Sequence, residues 1–205
     1  MKNLLNSTFK YLQFAIIGVA LLNLSSCESN DPQKEDTPEL ITKVTLTFTP
    51  AGGGDVVIAT ASDPDGEGVQ DIKVDGAINL KSGTTYSLTL SLINELAEKN
   101  SAEYDITEEV EEEGDEHMFF YAWTGNVFSD PTGDGNVDKR SDAVNYQDED
   151  VNALPIGIVT SWTTGSAAAG KFRVILKHQP DLKTTVSDVE VGETDLDVEF
   201  DINVN

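Results

Sequence analysis

Strict alternation of apolar and polar residues is the feature that most constrains the fold of this chain. Near the carboxyl end, every second residue from Leu196 to Val204 is apolar, and the residues between them are acidic or amide-bearing. A period of two places successive side chains on opposite faces of a β-strand. We therefore predict a strand with one buried face and one strongly acidic face, and Asp195 and Asp197 belong to the acidic set.

The same alternation recurs along the chain between clusters of Gly, Pro, Asp and Asn. Residues 117–123 are apolar at both parities, which is typical of a central strand covered on each side. Strands separated by turns, without βα alternation, predict an all-β fold, a single antiparallel β-sandwich of immunoglobulin-like or jelly-roll-like type. The predicted strands are 43–49, 56–61, 69–75, 86–92, 117–123, 156–163, 172–178 and 195–204.

One short helix is predicted near 105–113. Asp105 is a favourable N-cap, and Glu108 completes the capping box three residues later. Ile106 and Val110 are four residues apart and share one face, and Gly114 ends the pattern. We expect two to three turns lying over one end of the sandwich.

The amino-terminal residues 1–26 have the parts of a secretory signal peptide. Lys2 and Lys10 form the positive region, and the apolar run 14–22 is shorter than a bilayer-spanning helix requires. Leu24-Ser25-Ser26 then leads into Cys27, the one cysteine of the chain. This order predicts a lipobox, with removal of residues 1–26 and acylation of Cys27 by chains such as palmitate. An ordinary signal peptide with a chance cysteine is the alternative.

The predicted domain organisation follows from this cleavage. Residues 27–39 form a polar, acidic tether, and residues 40–205 form the β-sandwich domain. Lys34-Glu35-Asp36 resembles the signal that directs lipoproteins outward, so we expect an outer-membrane lipoprotein facing the periplasm or the cell surface. The formal charge of −24 becomes −26 once two lysines are removed, and so acidic a chain repels nucleic acid.

The two histidines are candidate metal ligands. His117 opens one predicted strand and His178 ends another, and antiparallel pairing that sets 123 beside 172 also sets 117 beside 178. Two imidazoles with nearby carboxylates suit zinc or copper. The alternative is that each histidine only hydrogen-bonds a carboxylate at a strand end. The acids expected beside the two rings are Glu113, Asp115 and Glu116.

Three loops carry oxygen ligands at alternate positions, the spacing that calcium requires. Solvated turns rich in Asp and Asn give the same composition, so both interpretations stay open. The candidate residues are Asp63, Asp65 and Glu67 in the first loop, Asp134, Asn136 and Asp138 in the second, and Asp148, Asp150 and Asn152 in the third.

Tyr121, Trp123 and Trp162 raise a third possibility, a platform for stacking on sugar rings. Both tryptophans lie in apolar strands, which favours core packing instead. Catalytic signatures such as Gly-x-Ser-x-Gly, His-Glu-x-x-His or a phosphate-binding glycine loop do not occur. The sequence therefore favours a non-catalytic protein.

Several stretches together resemble a family of small lipoproteins from Flavobacteria and other Bacteroidetes. The family is sometimes labelled a type 1 periplasmic-binding-fold superfamily, which implies an α/β fold that the strand pattern contradicts. The resemblance also implies a place beside TonB-dependent outer-membrane receptors. The resembling stretches are 40–48, 63–66, 105–110, 115–120, 176–180 and 192–198.

These observations predict a membrane-anchored lipoprotein that acts as a non-catalytic binding component. The ligand is expected to be a divalent cation, or a nutrient taken up by an outer-membrane system. The alternatives are a structural or adhesive surface lipoprotein and a glycan-binding module.

Overall fold

A computed structural model describes residues 39–66 and 72–205, which fold into two β-sheets that share one core. The all-β, sandwich-like prediction is confirmed. The signal peptide 1–26, the acylated Cys27, the tether up to residue 38 and Glu67 lie outside the described residues. The strands are β1 (Lys43–Pro50), β2 (Val57–Ser62), β3 (Lys73–Asp75), β4 (Ile78–Leu80), β5 (Thr85–Ile93), β6 (His117–Trp123), β7 (Phe128–Asp130), β8 (Val159–Thr164), β9 (Ala168–His178) and β10 (Glu193–Val204), and helix α1 spans Ile106–Glu112.

The larger sheet has the strand order β3-β2-β1-β5-β8-β7, and the smaller sheet has the order β4-β10-β9-β6. Neighbouring strands pair antiparallel except for β10 and β4, which are parallel, with Ile202 beside Ile78. This parallel pair, and the short strands β4 and β7, depart from the sequence prediction. Within the described ranges, no helix is both long and apolar enough to cross a bilayer.

The core forms where the apolar faces of the two sheets meet. β1 and β5 bury every second side chain, as their alternation predicts. Trp162 of β8 packs edge-to-face against Trp123 of β6 and Phe172 of β9, with ring centroids 5.1 and 5.2 Å apart. Both tryptophans and Tyr121 are at most 2% exposed. Core packing of these aromatics is therefore confirmed, and none of the three can stack on a sugar.

Strand β6 lies at the edge of the smaller sheet, so the prediction that it is central is wrong. Both of its faces are nevertheless buried, because the loop that follows β7 folds across the outer one. There Met118 and Phe120 form a second small cluster with Ile175 of β9, covered by Val137 and Tyr146. A loop can thus produce the same apolar pattern as a second layer of regular structure.

The same loop covers the open edge of β6. Asn136 donates its backbone N–H to the Tyr121 carbonyl, and its side-chain oxygen accepts the Tyr121 N–H, at 2.9 and 3.0 Å. The Tyr146 hydroxyl donates to the Phe119 carbonyl at 2.7 Å. Gly135, at φ +106°, lies so close that a Cβ there would collide with the Tyr121 carbonyl. The edge is therefore closed to pairing with another chain over this stretch.

Helix α1 begins as predicted. The Asp105 carboxylate accepts hydrogen bonds from the N–H groups of Thr107 and Glu108, and Ile106 and Val110 are buried. The Thr107 side chain exchanges two hydrogen bonds with the backbone of Leu92, which attaches the helix to the end of β5. The helix ends at Glu112, and β6 begins at His117.

Strand β10 departs from strict alternation at its beginning. Thr194 pairs with Lys177 and Leu196 with Leu176, so Asp195 is an additional residue in a β-bulge. Bulges re-aim side chains, and the Asp195 side chain is fully buried. The prediction that Asp195 belongs to the exposed acidic face is therefore wrong, whereas Asp197 is exposed as expected.

Candidate metal centre

The two histidines meet as their position in the alternation predicts. His117 pairs with His178 and Trp123 with Phe172 in the antiparallel ladder between β6 and β9. The imidazole rings stack with centroids 4.5 Å apart and planes 6° from parallel. Both residues are buried. The end of the smaller sheet thus holds two aligned imidazoles in a water-poor environment.

The end of helix α1 orients the first ring. The backbone carbonyl of Glu113, the C-cap residue, accepts the backbone N–H of Glu116 and that of His117. It also lies 3.2 Å from Nδ1 of His117. A carbonyl can only accept, so Nδ1 is the donor in this contact, and Nε2 is the ring nitrogen through which His117 would bind a metal.

Glu116 has a similar relation to the second ring. Its carboxylate lies 3.4 Å from Nε2 of His178, the arrangement by which carboxylates orient metal-binding imidazoles. Glu116 was predicted as a ligand, and its position fits an orienting role better. Asp115 was also predicted as a ligand, but it is exposed, and its charge acts on Lys183 instead.

Asp195 completes this end of the sheet. Its Oδ2 lies 3.8 Å from Nε2 of His117, and within the described ranges neither carboxylate oxygen accepts a hydrogen bond of ordinary geometry. Burial raises the pKa of Asp195 to about 6, although the charge of His178 and the nearby backbone N–H of Glu39 lower it in part. A buried carboxylate remains costly unless hydrogen bonds and a nearby cation compensate its charge.

Two further glutamates lie beside this group. Burial, together with the neighbouring carboxylate of Glu109, raises the pKa of Glu39 to about 8, and Asp195 and Glu113 add to the shift. Glu39 therefore carries a proton at pH 7 and shares a hydrogen bond with Glu109. Within the described ranges, neither of them nor Asp195 forms an ion pair with Lys or Arg.

The spacing of these groups fits a metal ion. Glu113, His117 and His178 each offer a ligand atom within 4.8 Å of the others, and Glu39, Glu109 and Glu113 do the same. In a tetrahedral zinc site, ligand atoms about 2.1 Å from the ion are roughly 3.4 Å apart. Small rotamer changes would therefore bring the first group to coordination distance, and imidazole with carboxylate suits zinc or copper.

The second predicted calcium loop is only partly assembled. Asp134 and Asp138 come together with Asp142, which sequence analysis did not select, and two of the three carboxylates are exposed. Lys139 lies 3.1 Å from Asp142 and already neutralises part of this charge. Asn136 is fully buried and uses its side chain on Tyr121 and Tyr146, so it is not available as a ligand.

The third loop uses its carboxylates internally. Both oxygens of Asp148 accept backbone N–H groups, from Gly157 and Val159, at 2.8 Å. One oxygen of Asp150 accepts the N–H groups of Asn152 and Leu154. These hydrogen bonds close the loop without an ion, which disfavours calcium there. In the first loop, Asp63 accepts the N–H of Asp65 at 3.4 Å.

A buried ion pair supports the turn before His117. The side chains of Asp150 and Lys183 are at most 1% exposed, and Nζ lies 2.8 Å from Oδ2. Nζ also donates to the Gly114 carbonyl at 2.6 Å. Burial lowers the pKa of Lys183, and Asp150 opposes that shift. This pair fixes the segment that presents Glu113 and His117.

Sequence analysis missed Glu39, Glu109 and Asp195. Glu109 and Glu113 are four residues apart on the predicted helix, so a shared face was a usable signal. Asp195 is hidden by the bulge and Glu39 by its distance in sequence from the others. Comparisons of this chain with protein-family models, curated proteins and solved structures found no match, so its function has to be inferred from the geometry of this site.

Proposed function

We propose that this protein is a membrane-anchored lipoprotein whose β-sandwich domain binds a divalent transition metal, zinc or copper, without catalysing a reaction. The observation that carries the proposal is the parallel pair of buried imidazoles next to the fully buried carboxylate of Asp195. A metal ion supplies the positive charge that this carboxylate lacks. His117 and His178 are the nitrogen ligands, and Glu113 and Asp195 are the oxygen ligands.

The surroundings of the site favour reversible binding. The carboxyl groups of Asp195 and Glu39 have pKa values raised to about 6 and about 8, so protons compete with the metal near neutral pH. Metal binding displaces such protons, and its affinity is therefore pH-dependent. Reversible capture suits a component that delivers an ion to an outer-membrane uptake system, such as a TonB-dependent receptor.

The metal-binding test uses the full chain with Cys27→Ser, which removes the one thiol and prevents acylation. Titration with Zn²⁺ or Cu²⁺ in a calorimeter is expected to show binding that His117→Ala and His178→Ala each weaken at least about 100-fold, roughly 2.7 kcal/mol. Glu112→Gln, an exposed acid on the same helix, is the matched control. Unchanged affinity in both histidine variants overturns the proposal.

Anchoring is tested separately. A cell expressing the wild-type chain is expected to incorporate a labelled palmitate analogue into this protein, and Cys27→Ala is expected to abolish the label. Labelling that survives Cys27→Ala contradicts the lipobox interpretation.

A structural or adhesive surface protein remains the second candidate, and the heavily acidic outer face of β10 is the feature that favours it. A chain that binds neither metal, yet is labelled at Cys27, supports this candidate.

A further inference from the structure

Two groups of ligand atoms at the end of the smaller sheet share one carboxylate. The first group is Glu113 with the two imidazoles, and the second is Glu113 with Glu39 and Glu109. All of these side chains are buried or half-buried. A carboxylate has two oxygens and can bridge two ions, as it does in sites that hold a pair of metals.

Asp195 interacts with members of both groups. Its Oδ2 faces His117 at 3.8 Å, and its charge acts on both His178 and Glu39. Its side chain is fully buried, and within the described ranges neither oxygen accepts a hydrogen bond of ordinary geometry. One ion beside the imidazoles would use one of these oxygens and leave the other uncompensated. This carboxylate is therefore a second candidate bridge.

The end of helix α1 adds to the negative potential here. Its last turn contains acids and no basic residue, although the partial negative charge of a helix C-terminus favours cations. Glu109 and Glu113 lie on the same side of this turn. Within the described ranges, Glu39, Glu109 and Asp195 form no ion pair with Lys or Arg. A bound cation would offset the repulsion between these acids and the negative end of the helix dipole.

We infer that the site holds two divalent cations, one bound by the imidazoles and one bound by carboxylates alone, with Glu113 and Asp195 shared between them. This inference rests on the proposed metal-binding function and adds the second ion to it. The all-oxygen position, formed by Glu39 and Glu109 with the shared acids, suits Mn²⁺ or Zn²⁺. Glu39 leaves its proton-sharing contact with Glu109 when this ion binds.

The test measures stoichiometry on the full chain with Cys27→Ser. Native mass spectrometry and metal analysis after dialysis against Zn²⁺ are expected to give two ions per chain. Glu39→Gln with Glu109→Gln is expected to give one. The matched control, Glu108→Gln with Glu112→Gln on the exposed side of the same helix, is expected to keep two.

The outcomes separate this inference from the proposed function. One ion in the parent chain, unaffected by Glu39→Gln/Glu109→Gln, overturns the second site and leaves the first. No bound ion in the parent chain overturns both. A Glu39→Gln/Glu109→Gln variant that still binds two ions also overturns the inference.

Misfolding of the double variant is excluded by its thermal unfolding without metal. The two substitutions replace the neighbouring carboxyl groups of Glu39 and Glu109 by neutral amides, which do not repel each other. The midpoint of thermal unfolding is therefore expected to equal or exceed that of the parent chain. As a second readout, Mn²⁺ titration followed by electron paramagnetic resonance is expected to show spin coupling between two ions in the parent chain. An isolated Mn²⁺ spectrum at saturation with two equivalents overturns the inference.

Discussion

Strand β10 presents acids in two contrasting environments only two residues apart. On its exposed face, Asp197 forms a bidentate pair with Arg173, and Asp201 lies 2.8 Å from Lys171. The side chain of Asp195, in the bulge, is fully buried and lies 3.8 Å from Nε2 of His117, and within the described ranges it forms no ion pair with Lys or Arg. Exposed acids are thus balanced by bases on the neighbouring strand, whereas the buried acid is adjacent to imidazoles and other acids.

This difference in burial separates exposed acids, which keep the protein soluble, from buried acids, which can bind an ion. An exposed ion pair is worth little because water already solvates both charges. Burial of a charged carboxylate costs desolvation free energy, and this cost is offset only when a cation pairs with the carboxylate or a proton neutralises it. Asp150 represents a third environment, in which Lys183 supplies the compensating charge inside the protein. The following predictions test this contrast, beginning with the largest expected effect.

Removing the internal base should be the most damaging change. Lys183→Met leaves Asp150 buried without its cation, and we expect the free energy of unfolding to fall by about 3 to 5 kcal/mol. Urea unfolding of the variant and the parent chain measures this loss of free energy. The control is Lys183→Met with Asp150→Asn, which removes both charges and should recover most of the loss. A single-variant loss below about 1 kcal/mol would contradict burial of this pair.

The two aspartates of β10 should differ in metal affinity. Asp195→Asn removes a charged ligand and should weaken Zn²⁺ binding about 100-fold, close to 2.7 kcal/mol. Asp197→Asn should leave the affinity within about twofold, because its carboxylate points to solvent. Calorimetric titration at pH 7.5 compares them, and equal losses in the two variants would show that only net charge matters.

The same pair of variants should differ in stability without metal. The pKa of Asp195 is raised from 3.8 to about 6 on folding, so the native state holds its proton more tightly than the unfolded state. The free energy of unfolding therefore falls as the pH rises from about 4 to about 6, and the penalty is complete above this range. Asp195→Asn should make the metal-free protein about 3 kcal/mol more stable at pH 7.5.

Chemical unfolding in the presence of chelator checks this prediction. The advantage of Asp195→Asn should disappear near pH 4, where the wild-type carboxyl is protonated in both states, and Asp197→Asn should show no such dependence. An advantage of equal size at pH 4 and pH 7.5 would contradict it.

The smallest effect is expected on the exposed face. Arg173→Ala breaks the bidentate pair with Asp197, and we expect a loss of about 0.5 to 1 kcal/mol that shrinks in high salt. Urea unfolding at low and high ionic strength measures this loss. Zn²⁺ affinity should not change, and a large change would mean that the two faces of β10 are coupled.

Local patterns predicted much of the fold and part of the candidate site. Alternation located β1, β5 and β10, and, on the condition that β6 and β9 pair antiparallel with 123 beside 172, it also set His117 beside His178. The Asp105 cap located the start of helix α1. These features depend on residues only a few positions apart, where backbone geometry and side-chain periodicity decide the outcome.

Tertiary contacts decided the remainder. β6 is an edge strand although it is apolar on both faces, because a long loop covers its outer side. Asp148 and Asp150 look like calcium ligands in sequence, yet the folded loop consumes them in hydrogen bonds and an ion pair. Whether a carboxylate can bind an ion depends on whether the fold already supplies it with hydrogen-bond donors or a cation. The spacing of acids in the sequence does not contain that information.

The alternation by itself thus determined a two-sheet β protein with two histidines at one end of a strand pair. Only the tertiary structure brought Glu39 and Asp195 to those histidines. Glu39 comes from the chain before β1, and Asp195 turns inward because a bulge interrupts the alternation of β10. The physical reason is that a bulge and a long-range contact are stabilised by other segments of the chain, so the local pattern carries no sign of them.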